Sequence, residues 1–441
     1  MTAHVHDVVG IGIGPFNLGL ACLADPLGVD AVFLDRAESF RWHPGMMIEG
    51  STIQVPFLAD LVTMADPTSR FSFLNWLKQS GRLYPFYIRE SFYALRTEYD
   101  AYCRWAAEQL HQLHWNHEVV RVEHDPVDDV YIVQAMRTDT GEERTLRTRH
   151  VVVGVGTSPT IPTALRDISG RAVHSSAYLE NRDALRATDS ITVVGSGQSA
   201  AEIYRDLLEG AREGGYRLDW ITRSPRFFPM EYTKLTLEMT SPEYTDHFHG
   251  LPLALRQHLS REQRSLYKGV SCDLIDDIYD TLYRLSAEGP VPTTLLADTE
   301  VTAAEWDGVR FRLSLRHGQL GEQYDRETAS LILATGYSAQ TPPFLQGIAD
   351  RLDWDALGRM DVARDYSVDG GRGRVFVQNG EEHTHGLTAP DLGFGAWRNS
   401  SILSSILGRE VYPIERRIAF QDFGVPADAL RESTVPGAVV R

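Results

Sequence analysis

Apolar residues first cluster between Val8 and Ile13, broken only by glycines. A short apolar run that ends in glycine predicts a buried strand. The segment "HDVVGIGIGPFNLGLACLA" continues from that strand into a helix, and "DAVFLDRAES" predicts a second strand. From Phe71 to Leu110 the apolar spacing is helical, as in "FSFLNWLKQSG" and "ALRTEYDAYCRWAAEQL". "VVRVEH", "VYIVQAM" and "TRHVVVGVGTSPTIP" read as strands. The opening pattern then recurs: "SITVVGSGQSAAEIYRDLLEG" predicts strand, glycine loop and helix, and "YRLDWITRSPRFF" the next strand. Pro229 to Pro292 is helical and irregular, and strands return in "VRFRLSLRHG" and "ASLILATGY". The segment "GRVFVQNGEEHTHGLTAPDLGFGAWRNSSILSSILG" reads as strand, loop and helix, and the residues after Phe423 as a tail. Two copies of one strand–loop–helix–strand design predict an α/β chain with two Rossmann-like domains and a small, mainly helical region.

The chain of 441 residues is long enough for two or three domains. No apolar run is long enough to cross a bilayer, and the start "MTAHVHDVVGIG" lacks the basic region and cleavage site of a signal peptide. Cys22, Cys103 and Cys272 are scattered and form no metal or disulfide framework. A reducing cytoplasm is the expected compartment. A net charge of −17 without a basic stripe speaks against nucleic acid and anionic membrane as partners, and mildly favours a cationic small molecule.

The first glycine loop reads Gly12-x-Gly14-Pro15-x-Asn17. Such a loop is a weak signal alone, but here it follows a strand and opens a helix. Gly12 permits the tight turn, and Gly14 lets backbone N–H groups reach a pyrophosphate at the helix N-terminus. Asn17 replaces the third glycine, so a slightly looser helix–strand contact is expected there. Asp35, at the end of the next strand, is placed to accept a ribose hydroxyl. In the second loop Gly195, Gly197 and Ala200 take the fingerprint positions, with Gln198 and Ser199 opening the helix. No carboxylate follows its next strand; Arg223 stands there instead. A ribose 2′-phosphate attracts a guanidinium and repels a carboxylate, so this site points to NADPH. Further glycine turns at strand ends, Gly154 to Pro159 and Leu333 to Tyr337, suggest a flavoprotein that accepts hydride from NADPH.

The motifs "GIGPFNLGLA", "FRWHPGM", "LADLVTMADPTSRFSFLNWL", "GSGQSAAE", "LATGY" and "HGLTAPDLGFGAWR" occur in this order from Val8 to about Leu407. In this combination the chain resembles the class B flavin-dependent N-hydroxylating monooxygenases of siderophore biosynthesis. The resemblance implies FAD at the first loop and NADPH at the second, with a C4a-hydroperoxyflavin passing oxygen to an unprotonated amine. It implies an FAD domain over 1–168 and 335–441, an NADPH domain over 169–225 and 293–334, and a helical substrate insert over 226–292. Trp42, His43, Gln54, Thr335, Gly336 and Tyr337 become candidate cofactor neighbours, Gln54 as a neutral hydrogen-bonding group facing the flavin. The family's tendency to form dimers or tetramers is expected to carry over.

The run "IQVPFLADLVTMADPTS", Ile53 to Ser69, is apolar with a proline inside it, a poor central strand and a poor helix start. It suits a water-excluding lining beside a flavin. Members that act on ornithine or lysine have "FLKDL" here, with the lysine on the amino acid's carboxylate, whereas this chain has Ala59. A carboxylate left unpaired in an apolar site is costly, so the substrate is expected to be a diamine, putrescine or cadaverine. Its distal ammonium needs an acid, and Glu231, Glu238, Asp273 and Asp391 are the candidates. Lys234 or Lys268 would have to replace the missing cation for an amino acid to bind instead. A flavin reductase without oxygenation is the other alternative, though no adjacent thiol pair supports it. Glu381, Glu382, His383 and His385 invite a metal reading, but their close spacing on a loop does not complete a ligand set, and no metal is expected. Met46 and Met47 are expected to pack rather than sense redox state.

Overall fold

A computed structural model describes residues 4–425; most of the predicted tail lies outside them. The strand Val5–Ile11 runs parallel to Ala31–Leu34 on one side, with Val9 opposite Val32, and to the long strand Glu143–Val153 on the other. Glu143–Val153 serves two neighbours along its outer edge. Its first half pairs antiparallel with Val130–Arg137, which pairs with His117–Asp125; its last residues pair in parallel with Val375–Val377. The C-terminal part of the chain thereby returns to the sheet built by the N-terminal part. The helix Pro15–Ala24 covers this sheet and packs against the C-terminal helix Gly395–Leu407. Gly19 is required where the helix meets its neighbours. A Cβ there would lie 2.7 Å from the Leu61 carbonyl and 2.9 Å from Asn399 Nδ2. The missing side chain lets the segment around Leu61 lie directly on the helix that follows the first glycine loop.

The second sheet is wholly parallel, in the order Thr293–Leu296, Arg217–Ile221, Ser190–Val194, Ser330–Leu333, Val173–His174. Its central strand opens into the helix Gln198–Leu208. The antiparallel strands Thr299–Trp306, Phe311–His317 and Gln323–Thr328 form a separate three-stranded sheet. Only the middle of these three was evident from periodicity; the outer two are half-exposed and carry a weaker pattern. Two short connections, Ser158–Pro159 and Tyr337–Ser338, pair antiparallel.

Between Phe228 and Pro292 lie four helices, Lys234–Leu237, Pro242–Gly250, Leu253–Glu262 and Cys272–Ser286. Ser241 caps the second by accepting from Tyr244 N–H. A segment beyond the last helix straps this region down. Glu238 accepts from the N–H groups of Phe420 and Gln421, and Glu243 from those of Ile418 and Ala419.

Candidate active site

The first loop is built as the glycine pattern requires. Gly12 has φ +89°, and a Cβ on it would lie 2.5 Å from the Gly154 carbonyl. Gly14, the N-cap of the helix Pro15–Ala24, is its opposite: a Cβ there would meet nothing within 4 Å. The helix start has no side-chain cap, so its N–H groups face this open space. Asp35 stands at the end of the second strand and accepts from the Ile13 and Ala37 N–H groups. A dinucleotide fits this cradle, with pyrophosphate beside Gly14 and ribose near Asp35.

Asn17 corrects the expectation of a looser contact. Its side chain is fully buried, and Nδ2 donates to the carbonyls of Gly12 (2.8 Å), Ile11 and Val152. Its Oδ1 accepts from Gln378 Nε2 at 2.8 Å. Asn17 is therefore a polar staple between helix, loop and sheet, and its side chain faces the interior rather than a cofactor.

Trp42 packs on Tyr99, ring centroids 4.8 Å apart, at the edge of the aromatic core. His43 has a left-handed backbone (φ +47°), and its ring lies between those of Trp42 and Tyr337. Desolvation in its recess, aided by the nearby Arg96 cation, pushes its pKa down to about 4, so the ring is neutral at physiological pH. Thr335 donates to the Thr160 carbonyl, Gly336 takes φ +85°, and Tyr337 lies edge-on to His174 at 5.2 Å. Met46 is buried in the core beneath the helix Gln198–Leu208, and Met47 is half-buried.

The second loop closes equally tightly at its first glycine: a Cβ on Gly195 would lie 2.3 Å from the Ala334 carbonyl. Gly197 caps the helix Gln198–Leu208, again without a side-chain cap. Gln198 points away from any phosphate position. Its Oε1 accepts from Ser271 N–H at 2.9 Å and its Nε2 donates to Glu202 at 2.9 Å. Ser199 is half-buried beside it. Glu202 forms a bidentate, buried ion pair with Arg96, both bonds 2.7 Å, which joins this helix to the first half of the chain. Sequence reasoning missed this pair because 106 residues separate its members. Arg223 follows the strand Arg217–Ile221, is exposed, and makes no ion pair among the described residues. A 2′-phosphate fits that position.

The Ile53–Ser69 run forms turns. Pro56 and Phe57 to Ala59 make one, and Asp60, buried at 4 % exposure, ties the next by accepting from Val62, Thr63 and Phe73 N–H. Ile53, Leu61 and Val62 are buried, with Phe57 against Phe73 and Phe86. Gln54 lends its carbonyl to the Tyr232 hydroxyl at 2.8 Å, while its Nε2 is buried without a protein acceptor. A buried amide donor with no internal partner fits a ligand carbonyl or ring nitrogen, as a flavin offers.

Ala59 is buried and meets Asp391 at Gly393. A Cβ on Gly393 would lie 3.2 Å from Asp391 Oδ1 and 3.6 Å from Ala59 Cβ. Asp391 accepts one hydrogen bond, from Gly393 N–H at 2.7 Å. Desolvation raises its pKa, opposed by that N–H group and by the Arg398 charge. The other three candidate acids are placed elsewhere. Glu238 is consumed by the C-terminal strap, Glu231 is exposed and bonded to the Ser265 hydroxyl, and Asp273 is exposed in the first turn of its helix. Side-chain charge alone could not separate these four; of them, Asp391 is the one that flanks Gly393 together with Ala59. Lys268 is paired with Glu382 at 2.7 Å, and Lys234 is exposed on a short helix.

The acids and histidines of "NGEEHTHG" do not converge. Glu381 pairs with Arg398, Glu382 with Lys268, His383 bonds the Met360 carbonyl, and His385 stacks on Tyr366. The three-ligand cluster found among the described residues is His4, His6 and Asp30, where both rings already hydrogen-bond the carboxylate.

Two glycine-loop units, each on parallel neighbouring strands of its own sheet and joined by paired connections, define a two-dinucleotide oxidoreductase fold. The family model for L-lysine 6-monooxygenase/L-ornithine 5-monooxygenase matches residues 4–339, and the chain belongs to this family. It is 47% identical over 431 residues to a putrescine N-hydroxylase of Shewanella oneidensis, covering 97% of this chain and 86% of that protein. Among solved structures, the FAD-bound cadaverine monooxygenase of the desferrioxamine pathway from Erwinia amylovora superposes with a TM-score of 0.94. Identity there is 50%, over 96% of this chain and 99% of that one. The ornithine N-hydroxylase of Kutzneria, solved with reduced FAD, NADP+ and L-ornithine, gives a TM-score of 0.84 at 30% identity, over 92% of this chain and 100% of that one.

Proposed function

We propose that this chain is an FAD- and NADPH-dependent N-hydroxylase of a short aliphatic diamine, putrescine or cadaverine, that supplies hydroxamate siderophore assembly. The observation that carries the reading is the meeting of Ala59 and Asp391 at Gly393. A pocket with a methyl group and a carboxylate accepts an ammonium and disfavours an amino acid's carboxylate. The pairing of Lys268 with Glu382 supports the same choice, because it engages one of the two lysines that could have replaced the missing cation. The putrescine and cadaverine enzymes among the relatives also support it.

Gly12, Gly14 and Asp35 would hold FAD, which with O₂ would supply the electrophilic oxygen, and Gly197 and Arg223 would hold NADPH, which would supply the hydride. The protein's own tasks are orientation and exclusion of water. Ile53, Leu61 and Val62 form the dry side. Gln54 Nε2 is the donor aimed at the cofactor, and the Tyr232 hydroxyl holds the Gln54 backbone in register. Asp391 anchors the charged end of the diamine, leaving the other nitrogen to arrive unprotonated. A disulfide reductase reading is disfavoured because Cys22 and Cys103 are buried and desolvation raises both thiol pKa values, which suppresses the thiolate.

We further infer a homo-oligomer, dimer or tetramer, in the cytoplasm. The exposed Tyr84, Tyr87, Ile88 and Phe92 support a surface between copies. Among the described residues no helix is long and apolar enough to cross a membrane.

The test is an amine panel scored by hydroxylated product. Putrescine or cadaverine should be hydroxylated well and lysine and ornithine poorly; equal turnover of lysine or ornithine would refute the diamine reading. Ala59→Lys should lower diamine kcat/KM on the order of 100-fold, because the new cation takes Asp391 and repels the ammonium.

A further inference from the structure

Arg398 is the largest charged side chain in the interior, fully buried on the C-terminal helix. Its Nη2 donates to the carbonyls of Thr388 at 3.0 Å and Ala389 at 2.7 Å, just ahead of Asp391. Its Nη1 stands 2.9 Å from Glu381 Oε1, and Glu381 is fully buried as well. The guanidinium also lies over two rings, Phe16 at 4.6 Å and Tyr366 at 5.5 Å. Phe16 belongs to the first turn of the helix that opens at Gly14, and its carbonyl accepts from Asn399, the next residue after Arg398. One side chain therefore touches both the start of the flavin helix and the loop that carries the amine-site carboxylate.

A buried ion pair is a poor device for stability, since apolar residues of the same volume serve as well or better. Tyr366 beneath it holds φ +69°, a conformation that costs a non-glycine residue free energy and persists only where the surroundings enforce it. A buried ion pair this costly, set between the helix that opens at Gly14 and the 386–393 loop, has the character of a positioning device. Asp391 lies outside this pair and accepts a single hydrogen bond, from Gly393 N–H, so its carboxylate can still take a cationic ligand.

We infer that Arg398 is a positioning residue: it fixes the 386–393 loop against the flavin loop and so sets the distance between Asp391 and the oxygen-transferring face of the cofactor. The inference rests on the reading above for the identity of the amine. Its test uses full-length holoenzyme carrying Arg398→Met or Arg398→Lys. FAD content, NADPH-driven flavin reduction without amine, diamine KM and hydroxylated product per NADPH are measured.

Arg398→Met should load FAD and reduce it within about twofold of wild type, while diamine KM and product yield together worsen roughly 10- to 100-fold. Arg398→Lys should recover part of the KM, because an ammonium still pairs with Glu381. A flavin-loaded Arg398→Met enzyme with unchanged KM and product yield would overturn the inference. An equal loss in flavin reduction and amine steps would overturn it too, as the mark of a merely structural residue. If Arg398→Met fails to accumulate, Glu381→Gln/Arg398→Met removes both buried charges and is read by the same criteria. Should wild type prefer another amine, the diamine reading fails separately, and the same measurements with the accepted amine decide the role of Arg398.

Discussion

The two glycine-loop units share one backbone plan and differ in what surrounds it. Both place a tight first glycine against a carbonyl of a neighbouring strand end, Gly12 on Gly154 and Gly195 on Ala334. Both open a helix without a side-chain cap. They part at the end of the following strand, where the first has Asp35, bonded back to the loop at Ile13, and the second has the exposed Arg223. The first unit is also sealed from within by Asn17, Gln378 and the C-terminal helix. The second is tethered outward, through Gln198 to Ser271 of the helical insert and through Glu202 to Arg96. A sealed loop suits a cofactor that stays, and an open, laterally tethered loop suits one that must enter, donate and be retained beside the substrate.

Five substitutions test that contrast. Gly14→Val has the largest expected effect. The position is open in the fold, so the protein should purify soluble and colourless, whereas Gly12→Val should fail to fold because its side chain would meet the Gly154 carbonyl. Normal flavin absorbance in Gly14→Val would break the assignment of the first loop. Next, Arg223→Ala should cost NADPH roughly 10- to 100-fold in kcat/KM, the worth of a charged hydrogen bond, and leave NADH nearly unchanged. Equal losses with both nucleotides in steady-state assays would remove the distinction between the loops.

Asn17→Leu should destabilise the flavin half by about 1–3 kcal/mol, since the Gln378 amide and three carbonyls lose their partner inside the core. Denaturant titration followed by flavin release checks this, and an unchanged midpoint would show that the seal is unimportant. Smallest is Gln198→Ala, which should raise the KM for amine and the Kd for NADP+ about fivefold through loss of its bond to Ser271. An effect on flavin content instead would place the tether in the wrong unit.

Much of this was legible in the sequence because it is local. Strand, loop, helix and the strand-end residue fall within some thirty positions, and their chemistry follows from spacing along one supersecondary unit. The reading of Ala59 came from the resemblance, in which a lysine stands at this place, and not from the apolar run itself. The misjudged residues depend on direction. Asn17 was placed in the loop but faces inward, and Glu238, an acid in the expected region, serves the C-terminal strap.

The sequence by itself carried two dinucleotide loops with different strand-end residues, Asp35 and Arg223, and the small Ala59 in an apolar run. The tertiary structure alone decided which of the four candidate acids stands near Ala59, namely Asp391 across Gly393. Asp391 and Ala59 come together at Gly393, and Arg398 reaches Phe16, because the C-terminal strand Val375–Val377 joins the N-terminal sheet and the last helix packs on the first, while Tyr232 reaches Gln54 from the helical insert. Each of those contacts spans well over a hundred residues. No periodicity or motif encodes so distant a meeting; it is fixed by sheet register and by the packing of the last helix on the first.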